Sequence, residues 1–346
     1  MKPPAARPLI AHVVDKYDSG VRTVIESYIA LAPTLDHHVL AGSCVGDVPA
    51  AVEVVGGPLP RRALRIRARL HELRPDVVHA HSSVAGAYSR ALLPRTNVIY
   101  QPHCYAFEAL SFPRPARRAF LAVERALARG TAVTIAVGQH EAELARAVVG
   151  APTVRVVPNS TGLDTHAATD HRPRAHAERI VVGSGRICPQ KGPDVFASVV
   201  SAVRAQAVDV TFLWIGDGDS HLRQVLEDSG VEVTGWLGSD EIRRTLLGAD
   251  LMLHTAAWEG FPVSIIDAMS LGVPVLARDI AALRAECVHT ASDAEALADD
   301  VVRALTHTAF RDHLVALSST ISQRMSPSEQ ARRIHAVYAE VLERAR

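Results

Sequence analysis

Arg186 and Lys191 stand five positions apart in Gly183-Ser-Gly-Arg-Ile-Cys-Pro-Gln-Lys-Gly-Pro-Asp194, on a loop between a strand-like run and a helix. Arginine offers a planar fork and lysine a point charge, so the pair suits a diphosphate whose negative charge grows as it leaves. Taken alone, the same pair also reads as two surface cations. A second stretch, Trp258-Glu-Gly-Phe-Pro-Val-Ser-Ile-Ile-Asp-Ala-Met-Ser-Leu-Gly-Val-Pro-Val-Leu276, sets Glu259 and Asp267 around a strand-to-helix turn. Two carboxylates could serve a glycosidase as acid and nucleophile or base. Their place beside a helix start, whose free N–H groups suit a phosphate, argues for anion binding instead. The lesser alternative for Glu259 is a cap on that helix, whereas an Asp in the first helical turn is favoured by the helix dipole alone. His103 follows a buried strand, where an imidazole can donate near a phosphate or simply satisfy the interior. Glu108 is a further polar group in that loop. Gly216 and Gly218, in Trp214-Ile-Gly-Asp-Gly-Asp219, let a backbone come close to a ligand.

These residues must be held by strand ends. Short apolar runs alternate with helical patterns: Leu9 to Val14, His38 to Ala41, Val77 to Ala80, Asn97 to Tyr100, Ala132 to Val137 and Val154 to Val157. The alternation predicts a parallel sheet covered on both faces. It breaks at Thr161 to Glu178, which has little apolar content and reads as an interdomain linker. It restarts at Arg179 to Gly183 and continues through Val210 to Ile215, Val231 to Thr234, Leu251 to His254, Val273 to Ala277 and Val288 to Thr290. Val263 to Leu271 reads as a helix entered through Gly260 and Pro262. Ser326-Pro-Ser-Glu329 starts a terminal amphipathic helix running to Arg346. The expectation is α/β, with two doubly wound parallel-sheet domains, residues 1–165 and 166–326, and a helix over 327–346 that packs back on the first. Two such domains leave a cleft between their strand ends, where a nucleotide and a second substrate can meet.

At 346 residues, 48% of them apolar, the chain is long enough for two ordinary cores. No run approaches the roughly 20 apolar residues of a membrane span, and the start, Met1-Lys-Pro-Pro-Ala-Ala-Arg-Pro, lacks an apolar signal core, which makes the cytoplasm the expected address. Cys44, Cys104, Cys188 and Cys287 are scattered, against both a disulfide framework and a zinc site. His79 and His81 have a spacing a metal could use, but no carboxylate or cysteine stands nearby. No acidic cluster marks a magnesium site, and no Ser-His-Asp or Cys-His order stands out. The expectation is no metal, no cofactor and no nucleic acid. Lys and Arg outnumber Asp and Glu by 19 to 13 in residues 1–165 and fall short by 18 to 24 in the remainder. Much of the excess lies in Arg61-Arg-Ala-Leu-Arg-Ile-Arg-Ala-Arg-Leu70 and Pro113-Arg-Pro-Ala-Arg-Arg118, faces that could rest on anionic lipid or simply be solvated.

Together, Arg186-(x4)-Lys191-Gly192, Gly216-Asp-Gly218, Gly235-Trp-Leu-Gly238 and Glu259-Gly-Phe-Pro-(x4)-Asp267-Ala-Met-(x2)-Gly272-(x)-Pro274-Val275 resemble the retaining family 4 glycosyltransferases of the GT-B fold. Pro75-Asp-Val-Val-His-Ala-His81, Val98-Ile-Tyr-Gln-Pro-His103 and Val156-Val-Pro-Asn159 extend the resemblance, more loosely, over the first half. The resemblance implies transfer of a sugar from a nucleotide diphosphate sugar, UDP before GDP, to an acceptor hydroxyl by front-face attack. It implies that Arg186 and Lys191 (with Gly185) bind the donor diphosphate and that Glu259 holds hydroxyls of the transferred sugar. Asp267 would hold the ribose, and the backbone of Gly260, Phe261, Pro262 and Val263 would line the donor. Trp236 and Leu237 would lie near the base, His103 would approach sugar and phosphate, and Gly20 would let the first loop pass close to both substrates. A lipid-linked glycan is the first acceptor expected, handled at the inner face of the plasma membrane; a soluble small molecule is the alternative. A non-catalytic sugar-nucleotide-binding protein, or a relative that epimerises or phosphorolyses sugars, are the other readings. Three departures bear on the site. Asp267 stands where the family usually has a second Glu, shortening its reach by about 1.5 Å. Only Gly20, after Ser19, stands where the first loop often has paired glycines, and Cys104 replaces the glycine that often follows Pro-His.

Overall fold

The computed structural model describes residues 7–93, 97–165 and 179–344. Residues 1–6, most of the linker expected over Thr161 to Glu178, and the last two residues of the span expected to be a terminal helix lie outside them. The chain forms two compact units, one of residues 1–158 and 327–346, the other of 159–326.

The first unit holds a parallel sheet of seven strands: β1 (Leu9–Tyr17), β2 (Asp36–Cys44), β3 (Val52–Val54), β4 (Val77–His81), β5 (Val98–Gln101), β6 (Val133–Ala136) and β7 (Val154–Val156). Their order is β3-β2-β1-β4-β5-β6-β7, so the winding reverses between β1 and β4. Strands β4, β5 and β6 are buried along their whole length, as strands with helices on both faces must be. The short edge strand β3 was not among the expected strands; Val52-Glu-Val-Val55 is too brief to stand out from its turns.

One face of this sheet is polar. His12 pairs in register with His79, Val14 with His81, and His81 with Gln101, which puts His12, His79, His81 and Gln101 on the same face. Helices Ser19–Leu31 and Pro327–Arg344 cover that face with hydrogen bonds as well as apolar contacts. The Tyr28 hydroxyl donates to Gln101 Oε1 (3.1 Å), and Tyr338 meets His79 Nδ1 (3.1 Å). Gln330 ties the terminal helix to Ser27 and to the Pro158 carbonyl.

The second unit repeats the plan with six parallel strands: β8 (Ile180–Ser184), β9 (Thr211–Ile215), β10 (Glu232–Val233), β11 (Leu251–His254), β12 (Val275–Arg278) and β13 (Thr290–Ala291). The order is β10-β9-β8-β11-β12-β13, with the reversal between β8 and β11. Its core joins Phe196, Phe212 and Trp214 to the helices that follow β8 and β13. Two Rossmann-like α/β domains, the GT-B plan, thus account for the fold. No helix among the described residues is long and apolar enough to cross a membrane.

Candidate functional site

In open α/β sheets ligands settle where the strand order reverses, outside the strand C-termini. In the second unit that place is formed by the loops after β8 and β11, which carry Arg186, Lys191 and Glu259. The two loops are bonded together: Ala257 N–H donates to the Gln190 carbonyl (2.8 Å), the Gln190 amide to the Trp258 carbonyl (3.1 Å), and the Thr255 hydroxyl to the Lys191 carbonyl (3.0 Å). Gly192, at φ +66°, allows this approach, because a Cβ there would lie 2.3 Å from the Thr255 oxygen. The result is an ion pair between Lys191 Nζ and Glu259 Oε1 at 2.5 Å, with the side chains only 18% and 10% exposed. Arg186 is exposed on the same loop. Fully buried His254 places its Nε2 4.0 Å from Glu259 Oε1, and that nitrogen has no hydrogen-bond partner. Burial, with Lys191 close by, pushes its pKa well below the usual histidine value and keeps it neutral.

The glycines after β9 serve the chain itself. Gly216, at φ +132°, would put a Cβ 2.2 Å from the Gly185 oxygen, and Gly218 one 2.2 Å from the Ile187 oxygen. The loop carrying Gly185 and Arg186 therefore lies flush against Gly216–Gly218, with Ile187 and Gly218 bridged in parallel and Gly216 bridged to Gly235. The latter bridge holds the Gly235–Gly238 loop, where Trp236 is 64% exposed and Leu237 half-buried.

The helix after β11 runs over Val263–Ser270 with Pro262 as its N-cap. Gly260, Phe261 and Pro262 are buried, and the Phe261 carbonyl accepts from the Asn159 amide (2.8 Å). Asp267 lies one turn further along than expected: the first turn holds no acidic residue, so the helix dipole does not account for it. Its Oδ1 accepts from the Thr161 hydroxyl at 2.6 Å. Burial outweighs that bond and a backbone bond from Gly162, and raises its pKa to about 6. Asp267 thus anchors the start of the stretch expected to be linker.

In the first unit, several non-glycine residues at positive φ follow β1 and its neighbours β4 and β5. Ser19 (φ +45°) follows β1, Ser82 (φ +67°) follows β4, and His103 (φ +58°) and Cys104 (φ +113°) follow β5. Positive φ in non-glycine residues costs about 1–3 kcal/mol each and persists where the surroundings enforce it. Ser19 and Cys104 are the positions where the resemblance leads one to expect glycine, and the backbone has kept the glycine-like conformation. Cys104 N–H is held by Glu141 Oε1 and Val137 N–H by Glu141 Oε2, both at 2.8 Å. A Cβ on Gly20 would meet nothing within 4 Å, so packing does not demand glycine there. Glu108 is engaged with His140 (3.2 Å).

Sequence reasoning missed His12 and His37. Spacing along the chain pointed to His79 and His81 alone, whereas strand register adds His12, giving three histidines whose ring nitrogens lie within 4.8 Å of one another. Hydrogen bonds to protein groups engage both ring nitrogens of each of the three. The four cysteines are not disulfide-linked.

Residues 29–165 match the family described as Glycosyltransferase Family 4, and residues 178–307 that described as Glycosyl transferases group 1. An uncharacterized 41.2 kDa protein in the cps region of Klebsiella pneumoniae is 26% identical over 79% of this chain and 82% of its own. The putative teichuronic acid biosynthesis glycosyltransferase TuaC of Bacillus subtilis is 24% identical over 78% and 72%. An Escherichia coli UDP-Gal:alpha-D-GlcNAc-diphosphoundecaprenol alpha-1,3-galactosyltransferase is 23% identical over 59% and 58%. Among solved structures, sucrose-phosphate synthase from Thermosynechococcus elongatus superposes with a TM-score of 0.80 at 20% identity, covering 97% of this chain and 100% of that one. Anabaena HepE in complex with UDP-glucose gives 0.76 at 18% identity, over 96% and 99%; at such identities the likeness is one of fold. With both halves matched and the fold shared, the chain belongs to the family 4 glycosyltransferases.

Proposed function

We propose that this glycosyltransferase moves a sugar, with retention of anomeric configuration, from a UDP-sugar, or failing that a GDP-sugar, to a hydroxyl of a lipid-linked glycan in cell-surface polysaccharide synthesis. The observation that carries the reading is the Lys191–Glu259 pair at the strand-order reversal of the second unit, with Arg186 on the same loop. Lys191 and Arg186 take the donor diphosphate and offset the charge that builds as it leaves. Glu259, relieved of Lys191, accepts from hydroxyls of the sugar. Trp236 offers an exposed ring to the base. Asp267 holds the ribose through the Thr161–Gly162 turn it anchors. In the first unit, Gly20 leaves open space for substrate, and His103 contacts a substrate hydroxyl. The leaving diphosphate assists deprotonation of the acceptor. The two cationic side chains do the work a metal would do, so turnover proceeds without a cofactor and survives EDTA.

The donor and acceptor classes draw support from the Escherichia coli relative, whose name gives a UDP-Gal donor and a diphosphoundecaprenol acceptor, and from Anabaena HepE with bound UDP-glucose. Contact with anionic lipid rests on two helices of the first unit. Arg61, Arg65 and Arg67 are exposed beside Leu59 and Leu64, and Arg114 and Arg118 beside Leu110, Phe112 and Val123. Arg62 and Arg69 are already paired with Asp15 and with Glu53 and Glu72. Through that surface the proposed enzyme rests on anionic lipid at the inner face of the plasma membrane. The test incubates the protein with labelled UDP- and GDP-sugars and a polyprenyl-diphosphate sugar, then reads the new anomeric configuration by NMR. Transfer with the donor's configuration kept is expected. Inversion, or transfer only to soluble acceptors, would overturn the corresponding part. At low salt the protein should co-sediment with anionic vesicles and release as ionic strength rises.

A further inference from the structure

Four histidines of the first unit form a continuous hydrogen-bonded chain. His37 Nε2 meets the Ala32 carbonyl (3.1 Å), His37 Nδ1 meets His12 Nε2 (3.1 Å), His12 Nδ1 meets His81 Nε2 (3.0 Å), and His81 Nδ1 meets His103 Nε2 (2.9 Å). A neutral imidazole carries one donor and one acceptor, and a carbonyl only accepts. His37 must therefore donate through Nε2, which makes its Nδ1 an acceptor. His12 must then donate through Nε2 and accept at Nδ1, His81 likewise, and the hydrogen on His103 must sit on Nε2. Any other arrangement sets two lone pairs, or two hydrogens, against each other in the sheet interior.

We propose that His37, His12 and His81 are positioning residues that carry the polarity of the Ala32 carbonyl to His103, fixing it as the Nε2–H tautomer with Nδ1 as its open acceptor. Burial supports the neutral state throughout. The pKa values of His12 and His81 are driven well below normal by desolvation, His37 is lowered for the same reason, and His103 falls to about 3. The ring of His103 is stacked on that of His81, with centroids 5.2 Å apart, and its strained backbone holds it there. Among the described residues no protein group bonds His103 Nδ1, and the side chain is partly exposed. The consequence, which rests on the proposed function, is that His103 accepts a hydrogen bond from a substrate hydroxyl and does not donate to phosphate, the role its residue type first suggested. His79 stands outside the chain: the Gln101 carbonyl oxygen requires its Nε2 to donate, and Tyr338 then donates to Nδ1.

The test is side-chain 15N NMR of the full-length protein labelled at histidine, without substrate, at pH 7. His103 is expected to show a protonated Nε2, an unprotonated Nδ1, and a 15N–15N coupling across the hydrogen bond to His81 Nδ1. His12→Phe, which interrupts the chain, should leave His103 as a mixture of tautomers. His12→Gln, whose amide both accepts and donates, should restore the Nε2–H form. A wild-type His103 protonated on Nδ1, or doubly protonated, would overturn the proposal, as would a tautomer unmoved in a folded His12→Phe. Sugar transfer measured on the same samples separates the two levels: the expected tautomer without transfer leaves the histidine chain standing and counts against the proposed function.

Discussion

Replacing Lys191 by alanine should cost both stability and catalysis, and the structure lets the two be separated. In Lys191→Ala the Glu259 carboxylate, about one-tenth exposed in the intact pair, is left with no cation on it, and its remaining close neighbour, His254, is held neutral by burial. Removing one partner of a buried pair costs about 3 kcal/mol, because the other charge is left uncompensated. For a unit of this size that corresponds to a fall of roughly 6–12 °C in its unfolding midpoint. Adding Glu259→Gln removes the stranded charge, so the double variant should regain most of the loss. Turnover behaves differently. Loss of one group that stabilises developing charge lowers the rate by about 10²–10³-fold, and the second change restores none of it. Calorimetric unfolding and donor turnover on wild type, both single variants and the double variant give the whole comparison. A midpoint within about 2 °C of wild type in Lys191→Ala, by the same size scaling, would refute the structural half. Turnover within about threefold of wild type, far inside the expected range, would remove Lys191 from the reaction.

Cys104→Gly should raise the melting temperature by a few degrees, since φ +113° costs a side-chain-bearing residue about 1 kcal/mol or more that glycine avoids, whereas Cys104→Val should lower it. Gly216→Ala drives a Cβ into the Gly185 oxygen and should destabilise the second unit by at least ~2 kcal/mol, while Gly20→Ala, in open space within a helix, should leave stability the same or slightly higher and reduce turnover. Burial raises the pKa of Glu141 from 4.5 to about 7, against the two backbone N–H bonds that lower it. The folded state therefore holds that proton where the unfolded state has released it. The stabilisation, about 3 kcal/mol, is complete below pH 4.5 and is lost as pH rises through 7, so Glu141→Gln should flatten the stability profile over that window.

Much of this could be read along the chain. The βα alternation places nearly every strand because a parallel strand buried on both faces is a short apolar run whatever its partners, and Leu251–His254 coincides with β11 residue for residue. The edge strand β3 escaped because three residues against a single neighbour carry too little pattern. The loop residues Arg186, Lys191 and Glu259 were legible as a set, but their pairing depends on two loops separated by 68 positions and joined through Gln190 and Thr255. The buried Arg90–Glu124 pair, tied to Tyr100, is hidden in the same way. His12 reads as one polar interruption in an apolar strand; only the register of β1 against β2 and β4 turns it into the middle of a histidine chain. Gly216 and Gly218 were legible as close-approach positions, yet what approaches them is the loop after β8. Asp267 was legible as a helix residue five positions past Pro262, but its Thr161 partner, 106 positions away, was not.

The central claim is that the loops after β8 and β11 bind the diphosphate of a sugar nucleotide. Titration calorimetry of UDP, GDP and ADP, beside an Arg186→Ala/Lys191→Ala control checked for folding, tests it most directly. The account predicts selective binding of one nucleoside diphosphate, UDP first, abolished in the control; no binding of any of the three by the folded wild-type protein would contradict it.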